Sequence, residues 1–430
     1  ISRFFANGTG NMRGRLITLL IVGLASPGWG QLGLPPVGQA VGGVIGTVDR
    51  TVDHAAALDL AAPVRSARDL ARDRLSRLAA FVRANRAVVA VDDLGQPARR
   101  GVVLLLDPDP AALATARALG FAGRPVGGLS ALGIAAAQLT VPSGMRLADA
   151  LTRLRAALPG KTLTADVIHF PAGRIARSST PAGNRAATPI EAPIGTPIGT
   201  MVGLIDGGVG GGVPVVRQAG FASGAPSPSD HGTAVASLLR AAGVRHILVA
   251  DVYGHDPAGG SALAMAQALN WLILQKVRVI SISLVGPRDP LLAKAVAAAS
   301  AHGATLVAAV GNDGPAAPPA YPASYPSVMA VTAVDGRDRA LIEAGRALHL
   351  DYAAPGADIK ARDAHGKEHR VRGTSYAAPL VAARAAAAID AGHGGQALRP
   401  ALDAEARDLG AKGPDPVYGR GLLCGHCLGR

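Results

Sequence analysis

Aromatic residues are scarce in this sequence, since Phe, Trp and Tyr together make up 3% of its 430 residues. The core therefore has to be packed mainly with Ala, Val, Leu and Ile. No stretch has the roughly 20 consecutive apolar residues that a membrane-spanning helix needs. The 55 glycines and 31 prolines indicate many turns. This composition favours an α/β or loop-rich protein over a helical bundle, and the length allows two or three domains.

Cysteine is nearly absent: Cys424 and Cys427, spaced C-x-x-C, are the only two. Two thiols cannot by themselves supply the four ligands of a structural zinc site. No strand–helix pattern precedes them, as a redox site would require. The pair is left as either a local disulfide or two free thiols.

Positive charge is concentrated in the first half of the chain. The formal net charge is +13, and residues 1–198 contribute most of it, with 22 Lys and Arg against 12 Asp and Glu. A basic region can bind nucleic acid. However, no interleaved aromatic residues and no nucleic-acid motif accompany it, so we expect no nucleic-acid partner.

The N-terminal residues resemble an export signal. Met12 is followed by two arginines, an apolar run over residues 16–25 and a small-residue site at Gly28-Trp29-Gly30. This order is typical of a secretory signal peptide. We therefore expect translation to start at Met12, residues 1–30 to be leader and signal peptide, and the product to be periplasmic or secreted. A short buried helix is the alternative.

Residues 31–100 form a basic region for which we predict one long helix. Apolar residues recur at steps of three and four between Leu60 and Val82, which predicts an amphipathic helix over residues 58–86. The opposite face carries arginines. That face could contact an anionic membrane, but docking against a neighbouring part of the protein is favoured.

Residues 101–170 read as a small α+β domain. Strands are predicted at 102–106, 134–141 and 163–170, with helices at 110–119 and 147–158 between them. His169 stands alone here, and we assign it a structural role. Five prolines then mark residues 171–198 as an exposed linker, the kind of segment that proteases cut.

Strands and helices alternate from residue 201 onwards. Strands are predicted at 201–205, 247–252, 277–284, 305–310 and 328–334, and helices at 234–242, 262–275, 290–302 and 380–391. This alternation predicts a parallel sheet with helices on both faces. In such sheets the functional residues lie beyond the carboxyl ends of the strands.

Four residues of this second half together supply the groups that acyl transfer needs. Asp206 follows a predicted strand, His231 opens a helix, Asn312 follows another strand, and Ser375 lies between a glycine turn and a helix. Ser375 would attack, His231 would take and return the proton, and Asp206 would orient the imidazole. The Asn312 amide and the Ser375 N–H would hold the oxyanion.

The motifs around these residues resemble those of subtilisin-like serine proteases, the subtilases. They read V-G-L-I-D-G-G at Val202–Gly208, H-G-T-A-V-A at His231–Ala236, G-N-D-G-P at Gly311–Pro315 and G-T-S-Y-A-A-P at Gly373–Pro379. Ser281–Leu284 is similar to the family's substrate-pairing strand, and the likeness extends over about 199–425. It implies a catalytic triad of Asp206, His231 and Ser375, an oxyanion residue Asn312, and substrate-binding residues Ser283, Leu284, Val285 and Gly286.

The resemblance also implies an architecture and a way of maturing. We expect an α/β fold, with a subtilisin-like parallel sheet flanked by helices over 199–430. A small α+β, ferredoxin-like propeptide domain over 101–170 would precede it, acting as intramolecular inhibitor until self-cleavage within 171–198. Polypeptides would be the substrates, with no cofactor and no metal.

Three features depart from the family pattern. Gly207 offers no side chain to support Asp206. Val285 stands where the family usually has Gly, which would narrow the first specificity pocket and favour small P1 residues, although Ala320 on the pocket floor leaves room. We find no loop of clustered Asp and Asn residues in the sequence that would suggest a calcium site.

Two other functions compete with a protease. An α/β-hydrolase esterase needs G-x-S-x-G and the chain order Ser, Asp, His. Ser375 lacks the second glycine and comes last. The other alternative is a catalytically inactive subtilase-like fold that serves as a binding module.

Overall fold

The structure is a computed structural model that describes residues 61–172, 174–175 and 197–428, with side chains described from residue 67 and not at 174–175. The leader and signal peptide expected over 1–30, the start of the predicted 58–86 helix and most of the 171–198 linker lie outside the described residues. Within the described residues, no helix is both long enough and apolar enough to span a bilayer.

The N-terminal part is a long helix followed by an antiparallel sheet with two helices. Its elements are α1 Ala61–Ala84, β1 Val89–Val91, β2 Pro97–Leu106, α2 Pro110–Ala118, β3 Ala122–Pro125, β4 Ala136–Thr140, α3 Leu147–Ala157 and β5 Leu163–Val167. The sheet runs β1-β2-β4-β3, and β5 also pairs with β2. Strands β1 and β3 are additions to the three strands predicted. The sheet thus begins at Val89, inside the region expected to be helical up to residue 100.

Short strands lead into the C-terminal part, which is built on a parallel sheet. The elements are β6 Phe170–Pro171, β7 Arg174–Ile175, β8 Val202–Asp206, β9 Arg217–Gly220, α4 Asp230–Ala241, β10 Ile247–Asp251, α5 Ala262–Leu274, β11 Val279–Ile282, β12 Leu284–Val285, α6 Pro290–Ala301, β13 Thr305–Ala309, β14 Val328–Val334, β15 Tyr352–Pro355, β16 Ala357–Arg362, β17 Glu368–Arg372, α7 Thr374–Asp390 and α8 Leu398–Glu405.

Seven strands form the large sheet, in the order β15-β14-β13-β11-β8-β10-β9, and their pairings are parallel. This is the α/β class that the alternating pattern predicted. Strand β8 pairs with β10 on one side and β11 on the other, so the strand order reverses at β8. Ligand crevices of open α/β sheets form at such a reversal, at the carboxyl ends of the strands.

The two faces of the sheet pack into different apolar clusters. Along β8, Leu204 belongs to one cluster and Ile205 to the other, as alternation along a strand requires. Helices α4 and α7 cover the first face. Helices α5 and α6 cover the second, and the N-terminal domain packs on their outer side, contributing residues such as Leu105 and Leu151 to the same core. The N-terminal domain is therefore docked on the C-terminal part.

The two cysteines are joined to each other, as Cys424 and Cys427 form a disulfide. Of the two readings left open by the sequence, the structure has the local disulfide.

Candidate active site

The Asp206 carboxylate and the His231 imidazole meet at the carboxyl end of β8. Asp206 is its last residue, and His231 lies in the first turn of α4, whose N-cap Ser229 accepts from the Gly232 amide at 3.0 Å. The His231 Nδ1 lies 2.9 Å from Oδ1 and 3.0 Å from Oδ2 of Asp206. Since an ionised carboxylate only accepts, Nδ1 carries the proton, and Nε2 is free to act as base.

Gly207 has a reason to lack a side chain. A β-carbon added there would lie 2.3 Å from the Ser229 Oγ, which caps α4. The Gly207 amide instead donates to Asp206 Oδ1 at 2.7 Å. Backbone thus supplies the support that a side chain at this position would otherwise give the carboxylate.

Ser375 is the second residue of helix α7, which begins at Thr374. The helix contains Pro379, which has no N–H to donate to the Ser375 carbonyl four residues earlier. The Ser283 hydroxyl donates to that carbonyl instead, at 2.8 Å. In return the Ser375 hydroxyl donates to the Ser283 carbonyl at 3.1 Å. The pair fixes the nucleophile candidate against the end of β11.

Two N–H groups converge on one carbonyl oxygen, that of Ala172. The Ser375 amide donates to it at 3.0 Å, and the Asn312 side-chain Nδ2 also donates to it. Asn312 is oriented by Thr374, whose amide donates to Asn312 Oδ1 at 3.0 Å. Because Oδ1 is taken, Nδ2 must face Ala172. Two convergent donors on a carbonyl oxygen are the geometry that stabilises an oxyanion.

The chain ahead of Ala172 is bound in the cleft as an extended segment. Phe170 and Pro171 pair antiparallel with Val285 and Leu284. The Ala172 amide donates to the Ser283 carbonyl at 3.0 Å. Three of the four residues predicted to bind substrate, Ser283, Leu284 and Val285, thus hold backbone of the protein's own chain. Gly286 pairs with Tyr321 instead. Their role towards other peptides stays a prediction.

The opposite wall of the cleft comes from the loop after β10. The His169 amide donates to the Gly260 carbonyl at 2.8 Å, and the Tyr253 hydroxyl donates to the His169 carbonyl at 2.7 Å. Sequence reasoning missed this wall. The only signal was the pair Gly259-Gly260, which follows a strand ending at the same edge of the sheet.

The chain is also held on the far side of Ala172. Arg174 and Ile175 pair antiparallel with Arg372 and Val371 of β17. The peptide bond from Ala172 to Gly173 thus follows the carbonyl held by Ser375 and Asn312. The predicted exposed linker starts at residue 171, but residues 171, 172, 174 and 175 are hydrogen-bonded to the C-terminal part, so this end of the linker is not exposed as predicted.

His169, for which the sequence predicts a structural role, lies in the segment that precedes Ala172. Its ring is fully buried, and neither ring nitrogen has a hydrogen-bond partner. The ring rests on Gly286, where an added β-carbon would lie 2.5 Å from Cδ2. Burial lowers the pKa of the imidazole from 6.5 to about 4. The residue lies in the cleft, three positions before Ala172, and its burial favours the neutral form of the imidazole.

Val285 of β12, the strand that pairs with Phe170 and Pro171, lies close to Gly311 and Ala320. A β-carbon added to Gly311 would be 3.4 Å from Val285 Cγ1 and 3.8 Å from the Ala320 β-carbon. Ala172 and Val285 pack in the same apolar cluster. The valine side chain therefore lies against Gly311, between β12 and the loop that holds this glycine.

One contact of an acyl-transfer site is not formed in this state. The His231 Nε2 is buried without a hydrogen-bond partner, while the Ser375 hydroxyl donates to Ser283. Tyr376, next to the nucleophile candidate, packs against the imidazole with ring centroids 5.6 Å apart. The Ser375 hydroxyl has to leave the Ser283 carbonyl before Nε2 can accept its proton, a rearrangement typical of sites that tighten during reaction.

Among the described residues, one group has metal-ligating atoms within 4.8 Å of each other: Asp230, Asp363 and His365. Two of the three are exposed, and Asp363 already accepts from the Lys367 amide and contacts His369. The group lies at the start of α4, outside the cleft.

Comparison with known proteins gives the family. A family model described as "Subtilase family" matches residues 213–421, which include His231, Asn312 and Ser375. Subtilisin DY of Bacillus licheniformis is 31% identical over 227 residues, covering 49% of this chain and 82% of the relative. This chain belongs to the subtilase family. Asp206 lies before the residues that the family model matches. It is assigned to the site because its carboxylate contacts the His231 imidazole.

Other relatives of this subtilase are covered less fully. The minor extracellular protease Epr of Bacillus subtilis (strain 168) is 31% identical over 205 residues, which is 45% of this chain and 32% of the relative. The chain thus spans about a third of that protein. Fervidolysin from Fervidobacterium pennivorans, a keratinolytic enzyme related to subtilisin, has a solved structure with a TM-score of 0.61. At 20% identity, over 77% of this chain and 61% of that one, it supports the fold alone.

Proposed function

We propose that this subtilase is the precursor of an exported serine endopeptidase that cuts its own chain between Ala172 and Gly173. The observation that carries the proposal is the Ala172 carbonyl, which accepts from both the Ser375 amide and Asn312. Extended pairing on both sides, with β12 before the bond and β17 after it, presents this peptide bond as a substrate.

The reaction we propose follows from these contacts. The Ser375 Oγ attacks the Ala172 carbonyl carbon while His231 Nε2 takes the hydroxyl proton, and Asp206 stabilises the imidazolium. The oxyanion stays between the Ser375 and Asn312 N–H groups. His231 then donates the proton to the Gly173 nitrogen as the C–N bond breaks. Water hydrolyses the Ala172 ester on Ser375, again with His231 as base.

After cleavage the N-terminal domain would remain as an inhibitor, because the contacts that hold it do not involve the bond that is cut. The Asn270 Oδ1 accepts from the amides of Ala131 and Leu132 at 2.8 and 3.3 Å. The Thr164 hydroxyl donates to Asp289 at 2.8 Å. Release of this domain would open the cleft to other polypeptides, with small P1 residues favoured by Val285.

Export is part of the proposal and rests on the signal-like residues Met12–Gly30. The N-terminal location of a propeptide agrees with it, because a precursor that is held inactive can be exported before it is released. We expect the protein to be located in the periplasm or secreted into the medium.

The decisive experiment compares the wild-type precursor with Ser375→Ala, using Ser327→Ala at an exposed serine as matched control. Wild type and control should yield a new N-terminus at Gly173, detected by mass spectrometry, and should react with a serine-directed fluorophosphonate. Ser375→Ala should stay full length and unlabelled. A Ser375→Ala chain that still separates unaided would disprove self-cleavage. A folded wild-type chain that neither separates nor takes label would favour the inactive binding module.

A further inference from the structure

Helix α1 precedes the N-terminal sheet and contacts the C-terminal part at a place separate from the sheet's own contacts with helices α5 and α6. The Arg74 Nε donates to Asp313 Oδ2 at 3.1 Å, and the Arg77 Nη2 donates to Oδ1 at 2.6 Å. Both carboxylate oxygens are engaged. Asp313 directly follows Asn312, whose amide holds the Ala172 carbonyl. The helix is therefore tied to the loop that would stabilise the oxyanion.

Apolar contacts extend this docking in both directions along the helix. Towards its N-terminus, the Leu70 side chain lies on the backbone of Gly314, where an added β-carbon would be 2.9 Å from Leu70 Cδ1. Towards its C-terminus, the Phe81 ring meets the Phe170 ring edge-on, with centroids 5.0 Å apart and planes at 89°. Phe170 is part of the segment bound in the cleft.

The four helix residues form one stripe. Leu70, Arg74, Arg77 and Phe81 are spaced by four, three and four residues, which places them on a single face of an α-helix. This face runs from the Asn312 loop to the cleft segment. We call these four residues the docking stripe.

We propose that the docking stripe is a second inhibitory contact, which retains the cleaved N-terminal fragment on the oxyanion loop after Ala172–Gly173 is cut. The inference rests on the proposed self-cleavage. The fragment carries both the helix and the tail ending at Ala172, so when the tail leaves the cleft the helix keeps it nearby and favours rebinding. The contact between Phe81 and Phe170 couples the two parts.

The test uses the full precursor with Arg74→Gln and Arg77→Gln together. Self-cleavage, read from the new Gly173 N-terminus, should stay close to the wild-type rate, since neither arginine touches the reacting groups. The half-life of the fragment on the enzyme, read from co-elution in gel filtration, should shorten by about tenfold, since two partly exposed ion pairs are lost. Activity on a small peptide substrate should appear correspondingly earlier.

Three comparisons make the test specific. The variant Arg72→Gln with Arg83→Gln removes the same charge from exposed positions of α1 outside the stripe, and should leave the half-life unchanged. Added salt should shorten the half-life more in wild type than in the Arg74/Arg77 variant, which keeps the Lys294–Asp107 and Arg99–Asp256 ion pairs across the interface. Asp313→Asn should match that variant, and combining all three substitutions should add little, because they remove the same interaction.

An unchanged half-life in the Arg74/Arg77 variant, or equal shortening in the Arg72/Arg83 control, would overturn the inference while leaving self-cleavage intact. A wild-type chain that is never cut at Ala172–Gly173 overturns both proposals.

Discussion

Acidification should reveal two opposing proton switches in the complex between the cleaved N-terminal fragment and the enzyme. The first is His169. In the cleft its pKa is lowered by burial from 6.5 to about 4, so only the neutral ring is bound. The free tail takes up a proton below about pH 6.5, and this proton uptake opposes binding until the bound ring also protonates. Between about pH 7 and about pH 5, this residue alone should weaken the complex roughly 20-fold.

The second titrating group is Asp289, and its protonation has the opposite effect on binding of the fragment. Burial raises the pKa of this carboxyl from 3.8 to about 6 at the interface with Thr164. Because the bound pKa lies above the free one, protonation below about pH 6 favours the complex. Burial also raises the pKa of the nearby Asp166, which acts in the same direction. Over the same interval Asp289 should tighten the complex by at most roughly tenfold, the full value applying only if release of the domain returns its pKa to 3.8.

In wild type, the weakening caused by His169 and the tightening caused by Asp289 largely cancel. Each effect is therefore tested by substituting the other residue. With His169→Phe the fragment should bind more tightly at about pH 5 than at about pH 7, by up to roughly tenfold, and with Asp289→Asn about 20-fold more weakly. Asn retains N-capping ability, so helix α6 should be preserved. Fragment retention is measured by gel filtration of self-cleaved chains after incubation at each pH. If the two variants shift in the same direction, or neither shifts, the assigned burial effects are wrong.

The other predictions concern the self-cleavage reaction. Asn312→Ala should slow the appearance of the Gly173 N-terminus by about 10²- to 10³-fold, because one oxyanion donor is lost; an unchanged rate would remove Asn312 from the mechanism. Ala172→Phe should slow the same step strongly, because we expect Val285 to narrow the first specificity pocket, and adding Val285→Gly should restore much of the rate. A slow double variant would show that the valine does not limit the pocket. Mass spectrometry of timed samples measures all of these rates.

Local patterns were enough to find the parallel-sheet domain and its four chemical groups. Motif residues such as Asp206 and His231 lie where strands end and helices begin, and these boundaries follow from short-range apolar periodicity. The predicted α/β class is confirmed. The catalytic roles of the four residues stay predictions, although the structure brings them to one edge of the sheet.

Local patterns were not enough to place the segment around Ala172. Its prolines and small residues are typical of an exposed linker. Nothing within the segment shows that β12 pairs with the residues before Ala172 and β17 with the residues after it. His169 likewise looks structural by itself, because its burial depends on Gly286, more than a hundred residues away. Strand pairing between distant segments depends on tertiary contacts that a local pattern does not record.

By itself the sequence determined the chemistry available to this protein, since residue types and their order along the chain depend on nothing else. It also determined the α/β class, because the spacing of apolar residues sets which faces can be buried. Only the tertiary structure decided which peptide bond lies against Ser375, and that helix α1 docks beside Asn312. Both depend on the relative placement of elements far apart in the chain, which is set by packing of the whole core.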